Sequence, residues 1–263
     1  MEPTLDDLIK IALQAGKMLR DSFGKPHRVE YKGIIDLVTE VDRESEAFII
    51  GEIRSRFPEH TIVSEESGHL SGQDGHFWYI DPLDGTSNYA HGVPIFAVSI
   101  AYAHAGRLQA GVIFDPMQNE CFSAERGKGA WLNDQPISVS EAADLNKSLL
   151  VTGFPYDIRT TKNTNLENFS YFTLRSLAVR RLGSAALDLA YVAAGRLDAY
   201  WELIINPWDI AAGTLMVMEA GGVVTDLDGN RDFFKPPYAV VASAPGIHAR
   251  IIAGLNRKRR NEN

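Results

Sequence analysis

Two aspartates three residues apart, Asp81 and Asp84, close an apolar, strand-like run in the stretch "WYIDPLDGTSNYAHG". Pro82 biases Asp81 toward an extended backbone, so a strand is expected to end there. The Asp-Pro pair then favours a turn that could aim both carboxylates and the Leu83 carbonyl at one point. Gly85 would let a ligand approach the backbone, and "GTSNYA" could open a short helix whose first N–H groups face an anion. Carboxylates for a metal beside a helix start for phosphate make a phosphoryl-transfer layout. An ordinary capped acidic turn would have the same sequence, so both readings stand for this stretch alone. A phosphatase with an aspartate nucleophile spaces its aspartates by two and sets them on a first strand near the N-terminus, unlike this chain.

Charge patterning extends the argument. No Lys or Arg lies between Arg56 and Arg107, a segment holding Glu59, Glu65, Glu66, Asp74, Asp81 and Asp84. None lies between Arg196 and Arg231, which enclose Asp198, Glu202, Asp209, Glu219, Asp226 and Asp228. Two carboxylates ~4 Å apart repel by roughly 4 kcal/mol at an effective dielectric of ~20. Nearby sequence offers no cation to offset this, although one could come from elsewhere in the chain. Oxygen donors without His or Cys spacing suit Mg²⁺ rather than zinc. The seven histidines are scattered. Cys121, the single cysteine, excludes an intrachain disulfide, suits a reducing compartment and reads as a packed thiol.

The elements that must position these acids follow from periodicity. Thr4 can cap a helix carrying an apolar stripe of Leu5, Leu8, Ile9, Ala12, Leu13 and Ala15, and a second helix fits Arg43 to Phe57. Strands are expected at "TIVSEE", "HFWYID", "IFAVSIAYA", "LQAGVIFD" and "NECFSAE", the last of them as an antiparallel meander. Beyond residue 140 the pattern alternates: strand "SLLVTGF", helix "ALDLAYVAAG", strand "DAYWEL" and helix "PWDIAAGTLMVMEAG" with proline in its first turn. Strands "GVVTD" and "YAVVASA" and a helix near "GIHARIIAGL" complete the chain. Two sheets with helix layers between and around them are expected, divided into halves 1–140 and 141–263 packed as one unit.

At 263 residues the chain can bury a large core. A net charge of -8 argues against nucleic acid or an anionic membrane as main partner. The basic tail "NRKRRNEN" reads as a solvated terminus. Without a basic n-region, a long apolar core or a spanning run, no signal peptide is expected and a cytoplasmic location is.

These residues together resemble the inositol monophosphatase family of Mg²⁺-dependent, lithium-sensitive phosphatases, most of all its bacterial branch. "DLVTEVDRESE", "IVSEESG" and "WYIDPLDGTSNYAHGVPIFAVSIA" are similar to the family's first half, and "GSAALDLAYVAAGRLDAYWE" with "NPWDIAAGTLMVMEAGG" to its second signature. The resemblance implies that Glu65, Asp81 and the Leu83 carbonyl hold one Mg²⁺ and that Asp81, Asp84 and Asp209 hold another, with a third beside Glu65 as an option. It implies that Glu65 and Thr86 orient the attacking water while Asp84 takes part in catalysis. The N–H groups of Gly85 and Thr86, with Ser87 beside them, would bind phosphate. Gly183, Ser184, Ala185 and Glu202, next to Asp209, would line the alcohol side. Asp36 and Asp42 match positions near the metals, and Lys32 matches a loop lysine across a gap.

Implied too is an α/β fold of α+β type, a layered α/β/α/β/α sandwich with a mainly antiparallel first sheet and a mixed second one, commonly as a homodimer inhibited by Li⁺. The implied substrate is myo-inositol monophosphate or a similar small polyol or sugar phosphate. Fructose 1,6-bisphosphate, histidinol phosphate, NADP and 3'-phosphoadenosine phosphate are alternatives. Arg175, Arg180 and Arg181 are candidates for a second anionic subsite. Glu66 reads as a solvated neighbour, and Pro207 and Trp208 as supports for the helix carrying Asp209. Asp188 reads as a polar anchor between helices, with a site role as the alternative. Ser184 is not expected to be a nucleophile. A non-catalytic regulatory protein on this fold is the rival class, and the intact acid set argues against it.

Overall fold

Thr4 starts the first helix through a reciprocal cap: its hydroxyl accepts the Asp7 N–H and the Asp7 carboxylate takes the Thr4 N–H. Helix α1 (Leu5–Ser22) buries Leu8, Ile11, Ala12, Ala15 and Leu19. Ile11 completes the stripe in place of Leu13, which points away and is 39% exposed. The computed structural model describes residues 2–26, 28–31 and 37–257. Lys32, Asp36 and tail residues 258–263 lie outside the described residues. A hairpin of β1 (Val29–Tyr31) and β2 (Leu37–Thr39) leads into α2 (Glu40–Arg56). This helix starts three residues before the expected Arg43, because Thr39 and Asp42 repeat the reciprocal cap of α1.

The first sheet contains β3 (His60–Ser64), β4 (Gly68–Leu70), β5 (Gln73–Asp84), β6 (Ala97–His104), β7 (Arg107–Asp115), β8 (Glu120–Glu125), β9 (Gly129–Leu132) and β10 (Gln135–Pro136). A short helix, α3 (Thr86–Ala90), interrupts it between β5 and β6. Its order is β10-β9-β8-β7-β6-β5-β3-β4, antiparallel except where β3 runs parallel to β5. The second half adds β11 (Leu149–Thr152), α4 (Leu166–Thr173), β12 (Ala178–Arg180), α5 (Ala185–Ala193), β13 (Ala199–Glu202), α6 (Pro207–Glu219), β14 (Val223–Thr225), β15 (Val240–Ser243) and α7 (Pro245–Leu255). Its sheet runs β12-β11-β13-β15-β14 and is mixed. Sequence periodicity misses α4 and β12, whose short segments repeat too few times to mark a face.

Period-two alternation decides what each sheet face meets. On β6, Ile100 and Tyr102 join the core under α1 and α2, whereas Ala101 and Ala103 join the core under α5 and α6. On β13, Tyr200 turns to α5 and α6, and Trp201 turns to α4 and α7. Helices α5 and α6 are therefore sandwiched between the sheets and apolar nearly all round. The layers read helix, sheet, helix, sheet, helix, as expected for an α/β sandwich of this kind. Cys121 is half-buried, and burial pushes its thiol up to about 12. Among the described residues no helix is long and apolar enough to cross a membrane.

Candidate active site

Strand β5 does not end at Asp81 as expected. Asp81 pairs with Ser99 and Asp84 pairs with Ala97, so three residues on β5 span two on β6. Proline has no N–H to give to the ladder, and Pro82-Leu83 are extruded as a one-residue bulge. The consequence is chemical. In a regular strand, residues three apart face opposite sides. The bulge restores parity, and Asp84 turns to the same face as Asp81, toward α6. Leu83 drops fully buried into the core under α1 and α2.

The parallel register of β3 supplies the next acid. Ser64 lies opposite Ile80, which sets Glu65 beside Asp81, and the Glu65 N–H donates to the Ile80 carbonyl at 3.2 Å. Asp209 arrives from the other half at the third position of α6. Its carboxylate caps that helix by accepting the Asn206 N–H at 3.0 Å, and Pro207 begins the helix as expected. One oxygen from each of Asp81, Asp84 and Asp209 lies within 4.8 Å of the others.

Asp81 is 2% exposed; burial, then the charges of Glu65, Asp84 and Asp209, raises its carboxyl well above the usual range. Asp209 is raised well above it too, by burial, Asp84 and Glu65. Burial lifts Asp84 only to about 6, because Ser184, Ala186 and Ala185 donate to it. Ser184 caps α5 and gives its hydroxyl hydrogen to Asp84 Oδ2, which also accepts the Ala186 N–H at 2.7 Å. The charges acting on Asp81 are all negative, and four acids so placed need a cation or protons. An all-oxygen donor set fits a hard divalent ion, so the residues present suit Mg²⁺.

Beside the trio, Gly85 caps α3 in a left-handed conformation (φ +96°), where a Cβ would lie 2.8 Å from the Ile95 carbonyl. Thr86 Oγ1 sits 2.9 Å from Asp42 Oδ1 and 3.0 Å from the Leu83 carbonyl, and can donate to either. Asp42, 0% exposed, is thus a partner of Thr86. Ser87 is exposed on α3. Asn88 crosses between the halves, donating to the carbonyls of Ile95 and Leu182 and so fixing the approach to Gly183.

A cavity of about 280 Å³ opens on Asp84 and Asp209 and takes in Gly183, Ser184, Ala185 and Glu202. Glu202 accepts the Tyr200 hydroxyl at 2.5 Å, and burial lifts its carboxyl to about 7. Gly153 makes room for it: a Cβ there would run into the Glu202 carboxylate. Of the three candidate arginines, Arg181 lines the cavity, whereas Arg175 stacks over Tyr171 and Arg180 is exposed on the edge strand β12. Asp188 is not the anchor between helices that its setting in the sequence suggests. It lines the cavity, 2% exposed, and its Oδ1 has no hydrogen-bond partner among the described residues. Sequence reasoning also passes over Phe154, Pro155 and Tyr156, which form an apolar wall of the cavity. Their run "GFPY" after a buried strand is the one signal available, and it names no partner.

The model of the family described as the inositol monophosphatase family matches residues 1–260 of this chain. The chain is 43% identical over 258 residues to Nus factor SuhB of Escherichia coli K12, covering 97% of this chain and 96% of that protein. It is similar to the solved inositol monophosphatase of Anabaena (Nostoc) sp. PCC 7120 at 44% identity, with a TM-score of 0.87 and coverage of 96% and 95%. A solved SaIMPase-II with inositol monophosphate bound is 27% identical, with a TM-score of 0.82 and coverage of 98% and 95%.

Proposed function

The chain belongs to the inositol monophosphatase family, and from that membership we propose that it is a Mg²⁺-dependent hydrolase of myo-inositol monophosphate or a similar small polyol phosphate. The observation that carries the reading is the convergence of Asp81, Asp84 and Asp209 at the mouth of a cavity walled by hydroxyl-accepting carboxylates. Glu65, Asp81, the Leu83 carbonyl, Asp84 and Asp209 would hold the ions. Bound there, Mg²⁺ would neutralise the phosphate dianion and the developing charge on the leaving oxygen.

The chain's own residues do the rest. With its hydrogen given to Asp42 or Leu83, Thr86 Oγ1 turns a lone pair toward the attacking water and, with the Glu65 carboxylate, orients it for in-line approach to phosphorus. The Gly85 and Thr86 N–H groups, with Ser87 alongside, hold phosphate oxygens. Ser184 and Ala186 fix one Asp84 oxygen, so its other oxygen faces the site in one orientation. No protein nucleophile is needed. Glu202 accepts a substrate hydroxyl, and the Tyr200 hydrogen bond holds it in place.

Arg181 meets five acids in the lining of the same cavity, Asp84, Asp157, Asp188, Glu202 and Asp209, so a neutral polyol suits the alcohol side better than a second phosphate. That balance ranks bisphosphate and nucleotide substrates below inositol monophosphate. A regulatory second reading has one observation behind it: the Escherichia coli relative is named as a factor rather than as an enzyme. Mg²⁺-dependent phosphate release from inositol 1-phosphate, quenched by Li⁺ and abolished in Asp84→Asn with the fold intact, is the expected result. Near-wild-type release by Asp84→Asn would refute the assignment, and a preference for a bisphosphate in kcat/KM would refute the substrate.

A further inference from the structure

We infer that Glu46 is a positioning residue that sets the direction of the Glu65 carboxylate, an inference that rests on the metal-dependent reading above. Helix α2 buries three polar residues against the site's back: Asp42 and Ser45 at 0% exposure and Glu46 at 4%. Asp42 takes up Thr86, and Ser45 Oγ donates to the Pro82 carbonyl at 3.0 Å, holding the bulge between the two aspartates. Glu46 reaches the end of β3. Its Oε1 accepts from the Ser64 hydroxyl, from the Glu66 N–H at 3.0 Å and from the Ser67 N–H at 3.1 Å, and its Oε2 accepts the Ser67 hydroxyl.

Those four donors belong to the residues on either side of Glu65: Ser64 before it, Glu66 and Ser67 after it. With the Glu65 N–H tied to Ile80, the backbone is fixed on both flanks. Glu65 opens the turn that follows β3, between these anchored neighbours. Ser64 gives its hydroxyl to Glu46 on α2, while the charge of Glu65 reaches Asp81 and Asp209. The four donors to Glu46 are neutral hydroxyl and backbone N–H groups. An apolar residue at this position would leave those donors without their acceptor. The carboxylate is the side chain that can accept four donors at once. An amide has one accepting oxygen and would set N–H against N–H or O–H at the other end.

The test uses the full chain and reads Mn²⁺ binding by calorimetry as well as phosphate release, with circular dichroism and Tm as checks of folding. Glu46→Gln should weaken Mn²⁺ affinity about tenfold and lower kcat by a similar factor, in the range of residues that orient metal ligands, while KM for inositol 1-phosphate stays within about twofold. In a Glu65→Ala background the same change should alter Mn²⁺ affinity by less than about twofold, because Glu46 then has nothing left to aim. A merely structural role would lower Tm and carry equal losses in both backgrounds, overturning the inference. Wild-type Mn²⁺ affinity in Glu46→Gln alongside a loss in Asp84→Asn overturns the inference and leaves the metal reading standing. Unchanged affinity in both Asp84→Asn and Glu65→Ala overturns the metal reading itself. If Glu46→Gln does not fold, Glu46→Asp, which keeps the charge one methylene short, takes its place with the same expectations.

Discussion

Replacing Asp209 with Asn should stabilise the metal-stripped protein while abolishing its turnover. Asn can still cap α6 by accepting the Asn206 N–H, so the fold loses little. What goes is one charge from a trio whose oxygens lie within 4.8 Å of one another. At that separation and an effective dielectric of ~20, each like-charged pair costs about 3.5 kcal/mol, and Asp209 takes part in two such pairs. Proton uptake caps the cost. From its ordinary value of 3.8 up to pH 7.5, one carboxyl can cost at most about 1.4 kcal/mol per pH unit, or about 5 kcal/mol, before it is better protonated. A gain of about 2 to 5 kcal/mol is expected, or at least about 4 °C in Tm for a chain of this size. The sign with pH follows from the raised folded value. The wild-type chain holds these protons more tightly folded than unfolded, so its stability falls as pH rises above about 4. The variant's advantage should thus be small at pH 5 and largest near pH 8. Calorimetry in EDTA across that range, repeated with Mg²⁺, is the assay, and Mg²⁺ should stabilise wild type more than the variant. A variant that melts at or below wild type in EDTA at pH 7.5, with no growth of the gap toward alkaline pH, would refute the account of a cation-seeking acid cluster.

Two further outcomes follow. Glu202→Gln removes a carboxyl lifted from 4.5 to about 7, so metal-stripped protein should gain up to about 3 kcal/mol at pH 8 and nothing below pH 4.5. In turnover the same variant should raise KM for inositol 1-phosphate while sparing an aryl phosphate that has no hydroxyl to read, and equal losses on both substrates would count against its role. Ser184→Ala strips the α5 cap and one hydrogen bond to Asp84, a loss of about 2 kcal/mol in urea unfolding, yet more than a hundredth of wild-type turnover should survive. Turnover at background in a well-folded Ser184→Ala would refute the reading of Ser184 as no more than a support for Asp84.

Most strands and helices, the acids and their order are legible along the chain. Short strand-like runs between turn signals in β5 to β8 and apolar runs in α5 and α6 already mark which segments are sheet and which are buried helix, because those patterns follow from local geometry. Charge patterning marks two cation-free segments with twelve acids, and the family resemblance picks Glu65, Asp81, Asp84 and Asp209 from them. Strand pairing and helix packing supply the rest. That Asp81 and Asp84 face the same way depends on a bulge, which exists only because β6 pairs on both sides of Pro82. That Glu65 lies beside Asp81 depends on a parallel register, which no local signal encodes. Asp188 reads as a helix anchor until the cavity beside it is visible, and Glu46 reads as one more helix glutamate until β3 ends against it. Direction is what a one-dimensional pattern lacks: carboxylates become a site only when strand pairing and helix packing aim them at the same few ångströms.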